Sequence, residues 1–304
     1  MAILPFDDRD GQIWLNGDMI DWRDAKVHVL THGLHYASAV FEGERVYNGS
    51  VFKLTEHTER LHESARLMGF EIPYSVDEIN AAHDVVLKAN GIVDGYVRPI
   101  AWRGSEMMGV SAQKNRINLA LAAWEWPSYF SPEARMAGIK LAVSDWRRPD
   151  PRCAPVHAKA AGLYMICTLS KHEAERQGFH DALMLDWRGQ VAEATGANIF
   201  FLMPDGKLHT PVPDCFLDGI TRRTVIDLAR AAGLEVVERV IMPEDMAQAS
   251  EVFLTGTAAE VTPVGQIGDL TFTPGEVTRT LIAAYDKAVG RTNDLTAAAS
   301  ISAA

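Results

Sequence analysis

Cysteine is scarce: Cys153, Cys167 and Cys215 are the three in 304 residues, and no Cys-x-x-Cys pair occurs. So odd and sparse a set excludes a disulfide framework and a cysteine-rich zinc site, and it suits a reducing compartment. Basic charge is in deficit, with 29 Lys and Arg against 40 Asp and Glu, a formal net charge of −11. A surface that acidic repels phosphate backbones and anionic lipid, so neither a nucleic acid nor a membrane is an expected partner; a local pocket for one small anion is still allowed. Long apolar runs are missing. The most apolar stretch, Ala160 to Leu169, covers about half a bilayer span before Ser170, Lys171 and His172. The N-terminal MAILPFDDRD has no basic start followed by an apolar core, so no secretory signal is expected and the chain reads as soluble and cytoplasmic. Gly104 to Gly109 has the glycine spacing of a phosphate loop, but Val110-Ser111 follows where Lys-Ser/Thr is required; GxSxG and GxGxxG are absent.

What is present is a globular composition, 47% apolar and 23% charged, which excludes disorder, collagen and coiled coil. The length suits two modest domains. Short strands open the chain, with Asn16-Gly17 and Asn48-Gly49 as hairpin turns around Ile13–Leu15, Ala39–Tyr47 and Val51–Leu54. Leu61, Ala65 and Met68 then recur at helical spacing up to Gly69, and Ser75-x-x-Glu78 is a capping box for a helix ending near Asn90-Gly91. Strands follow at Tyr96–Trp102 and Ile117–Trp124. Pro127–Pro132 breaks regular structure, and the expected division is a domain over 1–127, a linker over 128–138 and a larger domain over 139–304. In the latter, strands at Ile139–Val143, Ala182–Leu185, Ile199–Met203, Glu235–Ile241 and Val252–Thr255 go with helices at Ala158–Gln177, Thr221–Ala232 and Pro274–Val289. Strands in runs with helices grouped between them predict two α+β domains.

Three segments carry chemical signals. Lys159 is flanked by small residues at the start of a predicted helix, a setting that admits a planar ligand and desolvates the ammonium. A solvated lysine at a helix start fits the same residues. Asp218-Gly219-Ile220-Thr221 opens a helix with Thr221 as a candidate N-cap; free N–H groups there either receive a phosphate or are simply capped. Thr255-Gly256-Thr257-Ala258-Ala259 ends an apolar strand and offers successive N–H groups to an anion. The run His28-x-x-x-His32-x-x-His35 would suit a metal if helical, but its surroundings read as strand and turn, so no metal is expected.

Taken in order, the motifs resemble the fold type IV pyridoxal-phosphate enzymes, and within them the bacterial branched-chain amino acid aminotransferases. They are Lys26-Val27-His28-Val29, His35-Tyr36, Val40-Phe41-Glu42-Gly43, Glu59-Arg60-Leu61, Tyr96-Val97-Arg98-Pro99, Ala158-Lys159-Ala160, Glu193 with Asn198, Gly219-Ile220-Thr221-Arg222 and Thr255 through Pro263. The resemblance spans about Ile13 to Val289. It implies a two-domain fold with the active site in the interdomain cleft, pyridoxal 5′-phosphate as cofactor, and a homodimer or higher homo-oligomer. It assigns Lys159 as the Schiff-base lysine and proton shuttle, Glu193 to the pyridine nitrogen and Tyr164 to the phenolic oxygen. Arg60, Ile220, Thr221 and Thr257 would hold the phosphate. Thr257, Ala258 and Tyr96 would meet the α-carboxylate. Phe41, Trp126, Tyr129 and Tyr36, the last from a partner subunit, would form an aromatic pocket for an aliphatic side chain, with Arg98 for a distal carboxylate. The implied reaction is ping-pong transfer of the amino group of leucine, isoleucine or valine to 2-oxoglutarate. A D-amino-acid or R-amine transaminase, an aminodeoxychorismate-type lyase and a non-catalytic binding protein are the alternatives. Asp218, Glu44, Ala197 and Leu163 depart from the family pattern.

Overall fold

The computed structural model describes residues 5–126 and 136–291. Most of the expected linker, and Tyr129 with it, lies outside them. The described residues divide into two compact units, one of 5–126 with Ala158–Leu163, the other of 136–157 with 164–291.

The first unit is a seven-stranded sheet carrying two main helices. Its strands are β1 (Gln12–Leu15), β2 (Asp18–Asp21), β3 (Ala39–Phe41), β4 (Glu44–Tyr47), β5 (Ser50–Val51), β6 (Gly95–Arg103) and β7 (Ile117–Glu125), and its helices are α1 (His32–Tyr36), α2 (Leu54–Leu67) and α3 (Val76–Ala89). Strand order is β2-β1-β7-β6-β4-β5, with β3 also on β6. The antiparallel β6–β7 pair, in register from Gly95↔Glu125 to Arg103↔Ile117, is its backbone. Leu61 and Ala65 of α2, Ile79 and Val86 of α3, and Val97, Leu119 and Leu121 of the sheet are buried together. The hairpin turns arise as expected, with Asn16 and Asn48 at positive φ ahead of their glycines.

The capping box also forms: Ser75 Oγ accepts from Glu78 N–H at 3.3 Å, and Glu78 Oε2 accepts from Ser75 N–H at 2.7 Å. Two expectations fail. The single strand over Ala39–Tyr47 is two strands, broken at Glu42-Gly43. Residues 32–36 are helical, where strand and turn were expected.

The second unit is a nine-stranded mixed sheet. It contains β8 (Ile139–Val143), β9 (Asp181–Leu185), β10 (Val191–Ala194), β11 (Asn198–Leu202), β12 (Leu208–Pro211), β13 (Val236–Arg239), β14 (Glu251–Gly256), β15 (Glu260–Ile267) and β16 (Leu270–Thr271). With them go α4 (Tyr164–Arg176), α5 (Ile220–Ala231) and α6 (Glu276–Ala288). Leu141, Leu183, Ile199, Phe201, Val252, Leu254 and Val264 fill its core. The α+β expectation holds in both units. The expected helix from Ala158 does not: a single 3-10 turn, Ala161–Leu163, precedes α4, and Lys159 lies in extended chain. The cause is tertiary. Lys159 N–H donates to Ser64 Oγ at 3.0 Å, Lys159 C=O accepts from Phe41 N–H at 3.1 Å, and Ala160 bridges Val40. No helix among the described residues is long and apolar enough to cross a membrane.

Because Ser75 satisfies one of the orphan donors of α3, Ser75→Ala should cost about 1 kcal/mol. Urea unfolding should show a lower midpoint with an unchanged slope.

Candidate active site

In the first unit the chemistry gathers around one ring. The Lys159 Nζ lies 5.1 Å from the Phe41 ring centre, and the Arg98 guanidinium carbon lies 4.8 Å from the same centre. Arg98 also sits 5.5 Å over the Tyr96 ring and donates to its hydroxyl at 3.4 Å. Tyr96 leans on Trp126 and Trp124 at centroid separations of 5.3 and 5.2 Å. Arg45, itself buried, donates to the carbonyl of Trp126 and to Asp94. The glycine at the break between β3 and β4 has a reason. A Cβ on Gly43 would fall 2.0 Å from the Tyr96 hydroxyl, so a side chain there would expel the ring.

Lys159 is half-buried between Ala158 and Ala160, which are both buried. Tyr36 ends α1, 44% exposed and stacked on His32 at 4.5 Å. The three histidines of the metal-like spacing each meet backbone: His32 bonds Gly109 C=O, His35 bonds Val29 C=O, and His28 accepts from Leu30 N–H.

Arg60 projects from α2 onto Glu42, a contact that the sequence did not foretell. Its Nε and Nη2 donate to the two oxygens of Glu42 at 2.7 and 2.8 Å, and His57 Nδ1 lies 2.7 Å from Oε2. Glu42 is fully buried. Burial alone raises a carboxyl pKa, but the charge and hydrogen bonds of Arg60, aided by His57, outweigh it and hold Glu42 well below the usual carboxylate range. Two residues on, Glu44 is equally buried and pairs with His83 of α3 at 2.7 Å. Burial disfavours the imidazolium, yet the charge of Glu44 and its hydrogen bond raise the His83 pKa. The signal for this cluster was present in the sequence as two carboxylates, Glu42 and Glu44, in the segment Ala39–Tyr47, but their partners lie on separate helices.

In the second unit, Glu193 stands on β10 where the register slips between Val191 and Glu193. A bulge of that kind re-aims a side chain. Arg148 Nε lies 3.3 Å from Glu193 Oε1, and Asn198 Nδ2 donates to Oε2 at 3.2 Å. Asn198 reaches further: Nδ2 donates to Leu217 C=O, and Oδ1 accepts from Gly219 N–H at 3.2 Å. One amide therefore ties the Glu193 carboxylate to the start of α5. The helix N-cap is Gly219, which supplies no side-chain cap, so Thr221 is an internal residue and the expected Thr221 cap is corrected. A Cβ at Gly219 would lie 2.3 Å from Asn198 Oδ1, which explains the residue. Asp218 is held by Arg222 at 2.9 Å. Tyr164 begins α4, and Thr257 and Ala258 occupy the β14–β15 turn. Arg148 and Asn198 had no assigned role; Arg148 sits in a loop rich in proline and arginine whose fold no local pattern encodes.

The family model for amino-transferase class IV matches residues 39–267. This chain belongs to the class IV aminotransferases. It is 45% identical over 267 residues to the "probable branched-chain-amino-acid aminotransferase" of Rickettsia felis, covering 88% of this chain and 90% of that one. With the branched-chain-amino-acid aminotransferase of Escherichia coli K12 it shares 41% over 261 residues, 84% of each chain. The branched-chain amino acid aminotransferase of T.th. superposes with a TM-score of 0.90 at 38% identity, over 95% of this chain and 97% of that one, in its form with pyridoxamine 5′-phosphate. Over the same shares, its forms with N-(5′-phosphopyridoxyl)-L-glutamate and with 4-methylvaleric acid give TM-scores of 0.88 and 0.87 at 37% and 36% identity.

Gly43→Ala should displace the Tyr96 ring from Trp124 and Trp126. Tryptophan fluorescence should change while far-ultraviolet circular dichroism stays constant; an unaltered emission spectrum would mean that Gly43 does not hold the ring in place.

Proposed function

We propose that the chain is a branched-chain amino acid aminotransferase that uses pyridoxal 5′-phosphate and passes the amino group of leucine, isoleucine or valine to 2-oxoglutarate. The observation that carries this reading is the pair of cations against one aromatic ring, Lys159 and Arg98 beside Phe41. An aromatic wall takes an aliphatic side chain, while a cation at its edge takes the distal carboxylate of glutamate or 2-oxoglutarate. The T.th. enzyme's forms with a branched aliphatic acid and with a glutamate adduct support the same pairing of substrates.

The residues fit the cofactor. The first N–H groups of α5 have no side-chain cap, as a phosphate site requires, and Glu193 is a carboxylate held by Arg148 and tied through Asn198 to that helix start. When bound, pyridoxal phosphate supplies an aldehyde that condenses with amines and a ring that withdraws electrons from the substrate Cα. Lys159 would hold the cofactor through its amine and would move the proton taken from the substrate Cα. Glu193 would face the ring nitrogen and favour its protonated form, and Tyr164 would donate to the phenolic oxygen. Ile220, Thr221, Thr257 and Arg60 hold the phosphate. Thr257, Ala258 and Tyr96 would bind the α-carboxylate, and Phe41 and Trp126 would line the side-chain pocket; Tyr129, assigned to the same pocket, lies outside the described residues.

We assign a homodimer or higher homo-oligomer, with Tyr36 serving a partner subunit's pocket. The support is the number of exposed large apolar side chains on the first unit, among them Val27, Val29, Leu34, Tyr36, Met108 and Val110. The free cysteines support a cytoplasmic setting.

A panel of amino donors with 2-oxoglutarate tests the assignment. L-leucine, L-isoleucine and L-valine should exceed aromatic, acidic and D-donors, with parallel double-reciprocal plots. Preference for a D-amino acid or an R-amine, or release of pyruvate without an acceptor, would overturn it. Lys159→Ala should abolish both transfer and the visible absorbance band of the lysine-bound cofactor.

A further inference from the structure

The pair Glu44–His83 has no part in the chemistry above, yet both residues are fully buried. Beyond His83, neither oxygen of Glu44 meets a donor among the described residues. Oxygens of Glu42 and Glu44 and a ring nitrogen of His57 all lie within 4.8 Å of one another. Two carboxylates that close, out of water, do not both ionise unless cations balance them. Arg60 of α2 balances Glu42. His83 of α3 balances Glu44, with Asp84 on the same helix adding a further negative field. His57 completes the set by donating Nδ1–H to Glu42.

We propose that Glu44 and His83 are positioning residues for the cofactor phosphate: their ion pair keeps Glu44 an acceptor that cannot compete for the oxygens of Glu42, and Glu42 fixes the guanidinium plane of Arg60. The proposal rests on the reading of Arg60 as a phosphate ligand. Glu42 occupies two of the five guanidinium N–H groups, Nε–H and one on Nη2, in a fork whose two bonds set the plane. Loss of His83 leaves Glu44 as an unbalanced buried charge beside Glu42. A proton then settles on Glu44, which has lost its partner, while Glu42 keeps Arg60 and His57. A protonated Glu44 is a donor within reach of Glu42, competes with Arg60 for its oxygens and frees Arg60 to turn.

The test is reconstitution of the full apoenzyme with pyridoxal phosphate and, separately, with pyridoxal, which lacks the phosphate. Visible absorbance of the bound cofactor is the readout. His83→Gln should weaken pyridoxal phosphate roughly tenfold and leave pyridoxal unchanged, a selectivity that general loosening of the core would not give. The apolar double variant Glu44→Ile with His83→Leu should restore the original affinity, since it removes both charges together. Glu42→Gln, which keeps the shape of the fork but not its charge, should reproduce the selective loss and serves if His83→Gln does not fold. Equal weakening of both ligands, or tighter pyridoxal phosphate binding on neutralising Glu42, would overturn the proposal. Arg60→Met separates the two levels: if it leaves pyridoxal phosphate binding intact, the phosphate assignment itself fails and the positioning role falls with it.

Discussion

A carboxylate sealed from water must be matched by positive charge and by hydrogen bonds, and Glu42 is where the first unit meets that demand. Its two oxygens gather Arg60 and His57 from α2, and they do so beside Gly43, the residue whose missing side chain admits the Tyr96 hydroxyl. The order of Arg60, the break between β3 and β4 and the seat of Tyr96 all converge on this short segment. Paired groups of this kind cost desolvation, so their value lies in geometry more than in net stability. An Arg held in a fork presents its other N–H groups in a defined plane, which suits recognition of a planar or tetrahedral oxyanion.

The second unit solves a parallel problem with a neutral amide and one cation. Asn198 uses both ends of its amide, donating to Glu193 and Leu217 and accepting from Gly219. A carboxylate suited to a ring nitrogen and a helix start suited to a phosphate are thereby fixed to one side chain. Arg148 adds a buried cation near Glu193, so that the carboxylate is oriented from two sides. Each unit thus preorganises its own polar groups before any ligand arrives, and most of the cost is met by folding.

Much of this was legible in the residues. The capping box at Ser75, the period of α2 and the two Asn-Gly turns encode their structures locally, within four or five positions. Runs of strands separated by groups of helices announced α+β units. Lys159 stood out through its small neighbours, and Gly219-Ile220-Thr221 through its place ahead of an amphipathic helix. The misreadings share one cause. Lys159 was assigned to a helix because Ala158, Ala160 and Ala161 favour one, yet hydrogen bonds to Ser64 and Phe41 draw it into extended chain. Residues 32–36 read as strand and turn, but His32 is anchored by Gly109, 77 positions away, and the segment coils.

Sequence alone determined the secondary structure of the long periodic segments and the family, because the first depends on residue type and short spacing and the second on the order of motifs along the chain. Tertiary structure alone decided that Arg60 would meet Glu42, that His83 would meet Glu44 and that Asn198 would tie Glu193 to α5. Those pairs come from different elements, and their strength arises from the exclusion of water. Burial is a property of the packed chain and is written in no single stretch of it.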